Sequence, residues 1–253
     1  SSLQGNILNN AAVVFTGGGT YAGNMTGTGS LNVSATGLLI LSGTNAYAGG
    51  TTINSGTLQG NASSLQGNIL NNAAVVFDQS TTGTYAGAIT GTGSLTKTGA
   101  GLLSLTGNSV VGGGTTVSGG VLVVNGSLTS NVTVTNGGAL GGSGALIGAL
   151  AVNGGTVAPG NSIGTMTVTG NFSQTGGVYQ VEVNSAGQND KIVATGTATI
   201  NGGTVQVLAA SGSYQRNTTY TIVTATGGLT GTYGGVSSNL AFLTPSLSYD
   251  ANN

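Results

Sequence analysis

The segment SSLQGNILNNAAVVF fills residues 1–15 and returns letter for letter at 63–77. An active site is built once. A sentence of this length said twice means a repeated structural unit, and it restricts the chain to folds assembled from equivalent pieces. The correspondence runs on past Phe77. TYAG recurs at 20–23 and 84–87, GTGSL at 27–31 and 91–95, GLL at 37–39 and 101–103, and GGTT at 49–52 and 113–116. The offset between the copies grows where TGGGT is answered by the longer DQSTTGT. An insertion that leaves both flanks intact reads as a surface loop, which places Asp78 in a variable loop where the first copy has Thr16.

A unit of about 64 residues is too long for one coil, and a finer beat runs inside it. A small-residue turn followed by an apolar residue ends at Leu58, Leu122, Leu140, Val157 and Val205. Leu122, Leu140 and Val157 follow one another at about 18 residues, one turn of a parallel β-solenoid, so each long repeat reads as about three coils. Between the turns, TVTV and TATINGGTVQV put Val and Ile on one face and Thr on the other, the signature of a half-buried strand. Asn-Gly and Gly-Gly pairs also suit antiparallel hairpins. The coil-length beat favours the solenoid, in which stacking buries a core that no single coil could bury.

Composition agrees. Glycine supplies 50 of 253 residues, charged residues only 3%, and the net charge is −1. Two prolines and no three-residue glycine period exclude collagen, and positive mean hydropathy with so little charge excludes a disordered chain. The chain opens inside a repeat, without an initiator Met or a signal peptide, so it reads as a fragment. The longest apolar run, ALIGALAV at 145–152, is too short to cross a membrane as a helix.

The segments at 29–58 and 93–122 resemble the passenger-associated transport repeat of bacterial type V autotransporters. The second fits better through LTKTGAGLL; the first has LNVSATGLL there. NGGTVAPGNSIGTMTVTGNFSQTGGVYQVEVN, followed by NDKIVATGTATINGGTVQV, is similar to the last part of an autotransporter passenger. The resemblance implies an all-β, right-handed parallel β-helix with a C-terminal cap, exposed on or released from a Gram-negative cell. It divides the chain into one repeat unit at 1–62, a second at 63–126, further coils at 127–158, and an autochaperone-like cap at 159–253. It also implies a partner, the protein's own outer-membrane β-barrel, expected beyond residue 253 and absent from this sequence. The function expected is a structural stem and folding scaffold. The alternative is an adhesin whose Asn/Thr-lined face binds a host cell, a neighbouring cell or itself.

The inventory argues against chemistry. Without His or Cys there is no Ser-His-Asp triad, no Cys-His pair and no imidazole or thiolate metal site. The expectation is no catalytic residue, no cofactor and no metal. Glu182 and Asp190, with Lys191 beside them, are the one carboxylate pair close in sequence, read here as a charged loop on the solvent side of the cap. GTGSLTKT lacks the Gly that a phosphate loop needs before Lys97, GGSGALIG has Leu146 where a calcium repeat needs Asp, and a lyase reading has only a solitary Arg216. Asn-x-Ser/Thr matches such as Asn131 and Asn217 are expected by chance in this composition. Three cations cannot hold nucleic acid. Threonine runs at 133–135, 165–169 and 197–199 would form ranks on a solenoid, but their unequal spacing predicts interrupted ones.

Overall fold

Alternating apolar and small polar residues, punctuated by glycine, fold here as short strands. The computed structural model describes residues 4–253. Every ladder among them is parallel, and each joins a strand to the one a full turn later. This rules out the hairpin reading. Antiparallel contact is confined to isolated bridges such as Val183 to Asn189.

The chain visits three faces in rotation. The inward column of the second face can be followed by its pairings: Val13, Leu31, Thr51, Ile69 and Ile89, then Ser109, Leu128, Leu146, Val168, Ala194 and Ala225. That is eleven rungs and ten steps, or about 48 Å of rod at about 4.8 Å per step. The third face stacks Leu39, Leu58, Val75, Leu95, Thr115, Val132, Leu150, Phe172, Ala198 and Leu229. The first face carries Leu103, Leu122, Leu140, Val157, Tyr179, Val205 and Val236. Nearly all of these are buried, and together they make one continuous core.

Two devices close the corners. Asparagine side chains accept from backbone N–H groups one turn on, where the ladder has no partner to offer. Asn6 accepts from Asn24, Asn24 from Thr44, Asn68 from Ala88, Asn108 from Ser127, Asn131 from Ala149 and Asn171 from Thr197, at 2.9 to 3.2 Å. A corner amide left bare would lose a hydrogen bond, so this accounts for the Asn-rich turns. Glycine does the rest where coils crowd. At Gly27 and its counterpart Gly91, φ is 113° and 123°, and a Cβ would lie 2.2 Å from the carbonyl oxygen of Asn9 or Asn71.

The duplicated segment does not land on one face. From Leu31 three full turns lead through Thr51 and Ile69 to Ile89, and Leu95, the counterpart of Leu31, lies one face further on. The repeat is thus three turns and a third, not the whole number of coils that its length suggests. Ile7 of the first copy stands on the first face beside Met25, while Ile69 of the second stands on the second face beside Thr51 and Ile89. Leu8 and Leu70, identical in sequence, are exposed on different sides of the rod.

Coils lengthen toward the C-terminus. The turn from Thr115 to Val132 is short; those from Leu150 to Phe172, Phe172 to Ala198 and Ala198 to Leu229 are each longer than the one before. The extra residues form corner loops at 160–164, 184–190 and 210–222. The last segment then folds back over the open end, where Ala225 and Leu229 donate their N–H groups to the carbonyls of Asn252 and Ala251. Two exposed strand edges are covered in this way.

Candidate interaction surface and C-terminal cap

Inward positions carry apolar side chains, so chemistry can only come from buried exceptions, from outward columns, or from the cap. Lys97 is the largest exception. It is fully buried, and its Nζ donates to the carbonyls of Thr98, Gly99 and Gly119 at 2.6, 2.9 and 3.0 Å. Burial holds its pKa below the usual lysine value, with the Asp78 carboxylate pulling the other way. Three converging carbonyls make Lys97 a corner clamp, not a phosphate ligand. Asp78 is not in the variable loop. It is the last residue of the strand Ala74–Asp78, and it accepts from Gln59 Nε2 and Thr98 Oγ1, each at 3.2 Å. The loop begins at Gln79, which is itself buried with its Oε1 on the Ala62 N–H.

Glu182 and Asp190 are likewise not a solvated pair. Asp190 is 2% exposed, and its two carboxylate oxygens accept from the backbone N–H groups of Gly164 and Glu182, both at 2.8 Å. Burial pushes its pKa up to about 6, against the pull of those amides. The expectation of a solvent-side loop fails for Asp190 because its carboxylate ties together two corner loops that the sequence separates by 26 residues. Each Asp190 oxygen is held by a backbone donor, which commits this carboxylate to joining the two loops.

Outward, the third face is a rank of hydroxyls. Thr96, Thr116 and Thr133 sit on consecutive rungs, Ala151 interrupts, and Ser173, Thr199 and Thr230 continue. Thr135, Asn153 and Thr175 form a parallel column beside them. Successive rungs of this rank are one turn apart, with the surplus residues in corner loops, and the expected interruption falls at Ala151. Only the run at 165–169 falls elsewhere, on the second face.

The cap binds its coils through tyrosine hydroxyls. Tyr179 donates to the carbonyl of Ile222 at 2.6 Å, Tyr220 to that of Asn184 at 2.7 Å, Tyr214 to that of Val183 at 3.0 Å, and Tyr233 to Gln174 Oε1 at 3.3 Å. Tyr179 and Tyr233 also stack, with ring centroids 6.2 Å apart. Nothing in the alternation pattern singles these pairs out; the clustering of tyrosine late in the chain is the signal that was available.

Among the described residues no group of three or more acidic, His or Cys side chains could hold a metal, and no helix is long and apolar enough to cross a membrane.

Comparison with known proteins bears on this geometry. The model of the passenger-associated transport repeat matches residues 36–59 and 95–124. Adhesin BmaC autotransporter of Brucella suis biovar 1 (strain 1330) is 38% identical over 101 residues, covering 34% of this chain and 3% of that protein. The chain therefore spans a small part of the length of this relative. Two transport repeats lying within one parallel β-solenoid, together with this similarity to an autotransporter adhesin, support a segment of a type V autotransporter passenger at the surface of, or outside, a Gram-negative cell.

Proposed function

We propose that this segment is a stem and folding scaffold, without catalytic activity of its own, that holds more distal parts of the passenger away from the cell. One observation carries the reading: the repeat advances three turns and a third, so its identical residues face different sides of the rod. Duplication of this kind lengthens the rod without repeating a recognition surface. Its partner is the protein's own outer-membrane barrel, which anchors the C-terminal end.

The test is display. Cells carrying this segment between the barrel and an epitope tag should present the tag to antibody, remain dispersed, and turn over no substrate in a broad hydrolase screen. Clumping of those cells, or binding to host cells, would replace the stem with the second reading, an adhesin. That reading draws on the word adhesin in the relative's name and on the hydroxyl rank of the third face.

A further inference from the structure

Turns lengthen at the C-terminal end, and the surplus residues form corner loops and the folded-back final segment. Between these coils and the folded-back final segment lies a cavity of about 660 Å³. This is the size range of small-molecule sites. Its partly exposed apolar lining includes Val207, Val236, Leu240, Leu243 and Leu247.

Several polar groups on the wall are already bonded. The hydroxyls of Tyr214 and Tyr220 are given to backbone carbonyls. Asp250 is the one acidic side chain there, and its oxygens already accept from the N–H groups of Asn252 and Asn253 and from Asn253 Nδ2. Arg216 is the one uncommitted charge. It lines the cavity, is exposed, and makes no hydrogen bond or ion pair among the described residues. No other Lys or Arg lines the cavity. Apolar walls with one uncommitted guanidinium match a molecule with a long apolar body and a single anionic head.

We propose that this cavity binds a long-chain alkyl carboxylate, with the chain against Val207, Leu243 and Leu247 and the carboxylate on Arg216. The chain replaces contact of apolar walls with water, and the planar guanidinium can take both carboxylate oxygens at once. This site is independent of the stem reading, which concerns the length of the rod.

The experiment is calorimetric titration of the whole chain with dodecanoate below its micellar concentration, with dodecanol and dodecyltrimethylammonium as controls. Dodecanoate should bind saturably at one site per chain. Arg216→Gln, at an exposed position, should weaken dodecanoate about tenfold, the order expected for one charge-assisted contact, and leave dodecanol unchanged. Val207→Trp should weaken both, and circular dichroism should report its fold. Absence of saturable dodecanoate binding would overturn the proposal. So would equal binding of the cationic amphiphile, or indifference of dodecanoate to Arg216→Gln, whatever becomes of the Val207 variant.

Discussion

Lys97 and Val33 occupy corresponding places in the two repeats, and both are fully buried. The first copy serves the same corner differently: Ser55 Oγ donates to the carbonyl of Ala35 at 3.0 Å, where the second copy has Gly119 and the Lys97 ammonium serves Gly99. Lys97→Val would therefore strip the Gly99 and Gly119 carbonyls of this donor, while the Thr98 carbonyl keeps the Gln79 N–H at 3.1 Å. The expected loss is about 3 kcal/mol in urea denaturation, the scale of unsatisfied buried polar groups. Adding Gly119→Ser, the first copy's solution, should recover about 1 kcal/mol. A Cβ there meets Gly99 no closer than 3.2 Å. If the double variant is no better than the single, the two corners are not equivalent. Asp190 gives a pH test. Its folded pKa, near 6, lies above the unfolded value of about 3.8. The folded state therefore holds more protons between about pH 4 and pH 6, and stability falls as pH rises through that window. The contribution is fully present below the unfolded pKa and gone above about pH 6. Urea midpoints of Asp190→Asn should lose this slope, while the parent keeps it.

An element here is a strand, most often of three to six residues, whose worth lies in its register. Alternation sends Val132 and Val134 inward and Thr133 and Thr135 outward. Deleting Thr133 alone would turn Val134 to solvent and a threonine to the core, since a one-residue slip exchanges the two sides. About 3 kcal/mol or more should be lost, as for truncating a buried aliphatic side chain. Deleting residues 127–144 removes far more chain but one whole turn, because Ser127 pairs with Ala145 and Leu128 with Leu146. That variant should fold cooperatively as a rod about 4.8 Å shorter. Thermal denaturation followed by circular dichroism ranks the two: the whole-turn deletion should melt above the single-residue one.

At the scale of the molecule, stability is a sum over neighbouring turns, and such stacks need a distinct end. Residues 159–253, proposed above as the cap, hold five of the eight tyrosines. Four of them, Tyr179, Tyr214, Tyr220 and Tyr233, bond through their hydroxyls to partners 31 to 59 residues away. The final segment also covers two strand edges. Deleting 1–62 should leave a protease-resistant remainder. Deleting 159–253 should leave 1–158 aggregated or readily cleaved. Equal resistance of the two truncations in limited proteolysis would show that the cap is not where folding is secured.

The parallel solenoid, the inward Val, Ile and Leu columns, and the coil-length beat were legible in the sequence, because strand alternation and the turn beat are local and every coil restates them. What the tertiary structure decided is what depends on how far the chain has rotated. Corner loops of different length hide the fact that Thr133, Ala151, Ser173 and Thr199 stand on consecutive turns, so the hydroxyl rank emerges only when the coils are stacked. The burial of Lys97 and Asp190 was equally illegible, since a charge reads as surface until the backbone groups that satisfy it are brought from other turns. The repeat itself is the plainest case. Its length suggests whole coils, but stacking leaves a third of a turn over, and that remainder sends identical residues to different faces of the rod.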